Sequence, residues 1–198
     1  MDAQTERKAS LYSRKFSCNH FPLNTISMKS LVIAFFFLCT IPHLQAQQYF
    51  EAQYPKVWER AAAYTHAVAE QMPEDQYGFR SAAGAMSFGE QLLHIVDNIS
   101  FLAGRISGET RLFYNKADRE NLSKAQIIDI LETANQHVAE LISGISSDEL
   151  QTSTTFKDVE MTHENLFYLL RDHQVHHRGQ CLVYMRMVEV NAPPYVGW

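Results

Sequence analysis

Apolar residues recur at helical spacing in four stretches of the chain, and strand-like alternation is not sustained anywhere after Gln47. The first stretch, Pro55 to Gln71, sets Val57, Ala61, Tyr64 and Val68 on one face; Pro55 suits a first helical turn and Met72-Pro73 ends it. The second opens at Ser87, which has capping-box spacing with Glu90, and runs to Ser107 before Gly108. Its stripe of Phe88, Leu92, Ile95, Ile99, Leu102 and Ile106 advances by alternating steps of four and three. A polar connection dotted with aromatics, Gly108 to Leu122, leads to a second capping box at Ser123 and Gln126. The third helix follows to Ser143, with Gly144 as its stop. Ser146 to Val159 is rich in Ser and Thr and has no helical period, so it is expected to be a connection with room for a short extended stretch. The fourth helix runs from Thr162 to Val190, where Asn191-Ala192-Pro193-Pro194 breaks it. The predicted fold is all-α, a four-helix bundle.

The amino-terminal segment reads differently. Lys29 precedes an apolar run from Leu31 to Ile41, then Pro42 and a small residue at Ala46, the order of a secretory signal peptide cleaved after Ala46. A run of about eleven apolar residues is short of the ~20 that span a bilayer, so a membrane anchor is the weaker reading. Leu38, where a small residue is expected, argues against lipid attachment at Cys39. Met1 to Ser27 adds nothing to such a leader, and Met28 is the better start. The expected organisation is a leader over 1–46 with an over-long N-terminus and a bundle domain over 47–198. Export to the periplasm or out of the cell follows.

That division changes the composition. Of 17 basic and 22 acidic residues, five and two lie in 1–46, which leaves 12 and 20 and a net charge of −8 over 152 residues. Such a surface repels phosphate backbones, so nucleic acid is excluded as a partner. Cys18 and Cys39 leave with the leader, and Cys181 alone cannot form an intramolecular disulfide. The core must hold the domain.

Seven of the nine histidines fall beyond Ala46, three of them in the run Asp172 to Gln180. Around the fourth helix, Leu166, Leu170, Tyr184 and Val188 define the apolar stripe. His177 falls on its axis, His173 about 40° to one side and His176 about 100° away. Imidazoles four apart converge on one point, which is how a helix offers two ligands to one cation, and neutral imidazoles suit Zn, Ni, Fe or Cu better than Mg or Ca. A third ligand must come from another helix. His94 is the first candidate and His66 the next, while His137 and His163 read as surface or helix-end residues. Cys181, one turn past His177, is a fourth ligand, a nucleophile or a small buried hydrophobe, the last being favoured. Glu90, Glu164 and Asp172 read as ordinary helix-start or surface carboxylates, with Glu90 and Asp172 also open to orienting a ligand or acting as a base. Gln174 stands where a zinc protease of the H-E-x-x-H type has its glutamate, which removes that chemistry.

From Tyr54 to Trp198 the chain resembles the DinB/YfiT-like family of metal-dependent hydrolases. The resemblance is carried by Ser87-Phe-Gly-Glu-Gln-Leu-Leu-His94, by Asp172 to Gln180 (DHQVHHRGQ) with Val183-Tyr184, and by Pro193-Pro194. It implies a four-helix bundle with a three-histidine metal site made of His94, His173 and His177, with water completing the shell. It also implies that Gly179 permits close helix packing, and that a homodimer is common. Three histidines with open positions are the pattern of a catalytic metal rather than a closed structural one. The leading expectation is an exported metalloprotein holding Zn, Ni or Fe and hydrolysing a small substrate the sequence does not identify. The alternatives are a bundle that binds metal or ligand without turnover, and a thiol-dependent transferase.

Overall fold

The computed structural model describes the backbone of residues 28–196 and the side chains of residues 50–196. The chain divides into two compact units, 1–42 and 43–198. The first unit is described only over 28–42, which is helical, so the expected leader falls partly outside the described residues. Among the described residues, no helix is long and apolar enough to cross a membrane. Four long helices, α1 (Met28–Gln71), α2 (Phe88–Ser107), α3 (Lys124–Gly144) and α5 (His163–Met187), account for most of the structure. Between α3 and α5 come one turn of helix, α4 (Ser147–Leu150), and two short strands, β1 (Ser153–Phe156) and β2 (Val159–Thr162).

The boundaries read from Ser87, Gly108 and Ser123 hold. Ser87 and Ser123 each accept from the backbone of the third helical residue, whose side chain reaches back to the cap, and Gly108 closes α2 in the left-handed region at φ 79°. Each such cap contributes on the order of 1 kcal/mol. Three expectations need correction. Pro55 does not open α1: Phe50, Tyr54 and Trp58, one turn apart, are all buried upstream of or around it, so core packing carries the helix back through the proline. Gly144 is the last residue of α3 rather than its stop, with Ile145 as the cap. The fourth long helix ends at Met187, not Val190. There Glu189 takes φ 60° while the amides of Glu189 and Val190 donate to the carbonyls of Arg186 and Met185, a Schellman closure with Glu where Gly is usual.

The extended stretch is an antiparallel hairpin with Phe156 opposite Val159. Its two turn residues, Lys157 and Asp158, both have positive φ (47° and 65°), as a type I′ turn demands. The pattern hid it because neither turn residue is Gly or Asn and neither strand buries a full face.

Packing explains how the helices close. Phe50 stacks on Tyr54 at 4.6 Å between ring centroids, and both rings lie within 6.0 Å of Phe167 in α5. The Tyr54 hydroxyl donates to the Phe167 carbonyl. Trp58 Nε1 donates to the carbonyl of Asn135 in α3 (3.0 Å), and the Asn135 side chain accepts from the fully buried Gln174 of α5 (3.1 Å). These bonds satisfy three donors, on Tyr54, Trp58 and Gln174, that would otherwise be stranded in the core where α1, α3 and α5 meet.

The connection from α2 to α3 folds back along α2, touching it at three successive turns. Thr110 sits against Gly104, where an added Cβ would come within 2.7 Å of Thr110 Oγ1 and 3.0 Å of its Cα. Ser100 Oγ then donates to the Arg111 carbonyl (2.7 Å), and Tyr114 donates its hydroxyl to Asp97 (3.0 Å). The next helical turn of α2 carries His94.

Candidate metal centre

His94 on α2 and His173 and His177 on α5 present ring nitrogens that all lie within 4.8 Å of one another. Their ring centroids are 5.1 Å (His94 to His173), 4.6 Å (His94 to His177) and 4.4 Å (His173 to His177) apart. The two α5 rings meet because they are one helical turn apart, and His94 joins them because α2 packs on α5 along a face wider than its apolar stripe, one that buries Gln91 as well.

A hydrogen-bond relay fixes the chemistry of His177. Tyr184 donates its hydroxyl to the Met86 carbonyl (3.0 Å) and so accepts from the Gln91 amide nitrogen (3.3 Å). That orients Gln91 with its oxygen toward His177, 2.6 Å from Nδ1. An amide oxygen only accepts, so Nδ1 carries the proton and Nε2 keeps its lone pair free for a cation. Among the described residues the buried Nδ1 of His173 has no hydrogen-bond partner, and neither has Oδ1 of Asn98, one turn beyond His94. Burial, followed by the repulsion of neighbouring imidazoles, depresses the pKa of His173 to about 4 and of His177 to about 3. His94 is also lowered, chiefly by burial, against the opposing pull of Asp97. Neutral imidazoles, one with its tautomer set and one with an orphaned buried nitrogen, are a donor set that fits a transition-metal ion.

Beside His94, Asp97 is held from three directions. Lys116 and Arg119 stand three residues apart on a 3₁₀ turn, which places both side chains on one side. They reach the two carboxylate oxygens at 3.4 and 3.2 Å, and Tyr114 donates to the same group. The sequence gives Gln91, Tyr184 and Asp97 no role at the site. Gln91 and Asp97 look like ordinary helical polar residues, and Tyr184 passes for a member of the apolar stripe.

The other candidates separate cleanly. His66 lines a groove between α1 and α3, away from the triad. His176 is exposed, its ring edge-on to His177 at 4.9 Å. His137 is half-buried beside Phe113 rather than on the surface, and His163 is the first residue of α5. Cys181 is fully buried, and burial pushes its thiol up to about 12, so it serves as a small hydrophobe and not as a ligand or nucleophile. Glu90 caps α2 and pairs with Arg80 at 2.6 Å, Asp172 pairs with Arg171 at 2.6 Å, and Glu164 accepts from Gln151. Among the described residues, open space surrounds Gly179, so it permits no close packing; the tight positions are Gly104 and Gly89, where an added Cβ would come within 3.2 Å of Ile127 Cδ1.

A sequence profile of the DinB superfamily matches residues 58–181, a span that includes all three histidines. The chain belongs to the DinB superfamily. An uncharacterized Bacillus subtilis (strain 168) protein, YjoA, is 23% identical over 135 residues, covering 66% of this chain and 86% of its own. The crystal structure of that DinB-like protein superposes with a TM-score of 0.59 at 20% identity, over 72% of this chain and 96% of that one. A DinB-like protein from Bacillus cereus ATCC 10987 superposes with a TM-score of 0.61 at 23% identity, over 71% and 94%. These likenesses establish the DinB fold for the helical domain.

Proposed function

We propose that the protein is an exported metalloprotein in which His94, His173 and His177 hold a divalent transition metal, Zn, Ni or Fe, and that it hydrolyses a small substrate. The observation that carries this reading is the convergence of three neutral imidazoles within 4.8 Å, one of them with its tautomer set by Gln91. Such an ion supplies Lewis acidity at coordination positions left open by three protein ligands. The protein's own part is orientation. Gln91 and Tyr184 aim His177, and the connection pinned at Asp97 walls the side of His94 with Lys116 and Arg119. Export rests on the leader-like segment through Ala46.

Elemental analysis of untagged protein tests the metal reading. One ion per chain is expected, lost in His94→Ala and in His177→Ala and kept in His176→Ala. A metal-free wild type, or triad variants that retain the ion, would overturn it. Turnover of an ester and amide panel that depends on the same three histidines supports hydrolysis, and uniform inactivity of the metal-loaded protein rejects it in favour of a binder. Amino-terminal sequencing of native protein tests export, which an intact Met1 or Met28 contradicts.

A further inference from the structure

A second concave site lies on the opposite side of α5. Arg171, Val175 and Arg178 follow one another at helical spacing along the face of α5 that meets α1, whereas His173 and His177 face α2. With Arg60 and Tyr64 of α1 and Tyr195 of the carboxy-terminal tail they line a cleft of about 280 Å³. The tail is drawn over it by the Tyr64 hydroxyl, which donates to the Pro193 carbonyl (3.4 Å), and by Tyr195, edge-on to Tyr64 at 5.9 Å.

The charge of this cleft opposes that of the chain. Three guanidinium groups line it with one carboxylate, Asp172, already engaged by Arg171. Arg178 is only 8% exposed, yet among the described residues no carboxylate pairs with it or with Arg60. Its Nη1 donates to the Ala61 carbonyl (3.0 Å) and Thr65 Oγ1 (3.2 Å), and its guanidinium stacks over the Tyr64 ring at 4.7 Å. Those contacts fix the plane of the fork and use one of its nitrogens. Among the described residues Nε and Nη2 find no hydrogen-bond partner, and they are not sealed off from solvent. A buried guanidinium without a counter-ion is costly, and its planar fork matches the two oxygens of a carboxylate or phosphate.

We propose that the α1–α5 cleft is a binding site for a small oxyanion, a carboxylate or phosphate group seated on Arg178 and flanked by Arg60 and Arg171. The tyrosines at its edge give an aromatic or apolar body of the ligand a surface to pack on. The site is separate from the histidine triad and does not depend on a metal.

Calorimetric titration of the full chain with inorganic phosphate, and separately with benzoate, at fixed ionic strength tests this. Saturable one-to-one binding is expected, and it persists in His94→Ala, which removes the triad as a competing anion site. Binding weakens about tenfold or more in Arg60→Gln and in Arg171→Gln, as loss of a charge-assisted contact predicts, and is unchanged in the control Arg111→Gln. Arg178→Lys, checked for native circular dichroism, keeps the charge, loses the fork and weakens binding as well. Absence of saturable binding to both probes, wild-type binding in both Arg60→Gln and Arg171→Gln, or loss of binding in His94→Ala would overturn the proposal.

Discussion

Gln91 Oε1 lies 2.6 Å from Nδ1 of His177, and because Tyr184 engages the other end of the same amide, the contact has one polarity. Partners of this kind fix both ring angle and tautomer, and their loss typically lowers metal affinity 10–100-fold. Gln91→Leu is therefore expected to weaken the metal by about that factor with the helical content intact. Tyr184→Phe, which only frees the amide to rotate, should cost about fivefold, near 1 kcal/mol. Competition against a chelator of known affinity measures both, and a Gln91→Leu protein that holds metal like the wild type would remove the relay from the account.

Acid should destabilise the metal-free protein through the same rings. In the unfolded chain an imidazole takes up a proton near pH 6.5, whereas folding holds His173 at about 4 and His177 at about 3. Between these values the unfolded chain binds more protons. The contribution to stability is thus complete above about pH 6.5 and is lost as pH falls toward the folded values. Urea midpoints of metal-free protein should fall more steeply between pH 7 and pH 4.5 than those of the His173→Gln/His177→Gln variant; parallel lines would contradict the assignment.

Asp97→Asn should loosen the connection beside His94. The Asp97 and Arg119 side chains are 15% and 29% exposed, so losing the carboxylate leaves a largely sheltered cation unpaired, at about 1–3 kcal/mol. Lys116, 62% exposed, adds little. Denaturant unfolding gives the magnitude and hydrogen exchange the place, with faster exchange expected in residues 109–122. Stability within about 0.5 kcal/mol of wild type would show that Asp97 is not the anchor.

Gly104→Ala sets two effects against each other. Alanine gains about 1 kcal/mol in an α-helix interior, but here its Cβ would meet the Thr110 backbone at 3.0 Å, and relieving such overpacking costs about 1–3 kcal/mol. Net destabilisation is expected. A melting temperature above that of the wild type would mean that the connection yields freely.

What the sequence makes legible follows from how local each signal is. Helix starts at Ser87 and Ser123 rest on residues three positions apart, and the pairing of His173 with His177 needs only the pitch of one helix. Phe50 and Tyr54 escape notice because Pro55 imitates a helix start, and the hairpin because Lys157 and Asp158 adopt a turn that usually calls on Asn and Gly. Gln91 and Asp97 gain their meaning from what faces them across the fold, namely His177 on α5 and the cations of a 3₁₀ turn. No spacing along α2 reveals either partner. Gly179 errs the other way, since a glycine beside a metal motif suggests close packing where the structure has open space.

His94 and His173 are separated in the sequence by the whole of α3, α4 and the hairpin, yet their rings touch. An ion shared between them would be a removable staple across that excursion, in a helical domain whose described free cysteine, Cys181, is buried. A ligand that binds only the folded form adds about 2.7 kcal/mol at a hundredfold excess over its Kd. The abundance of free metal around the protein would then set how long the folded molecule survives, as well as whether its site is armed.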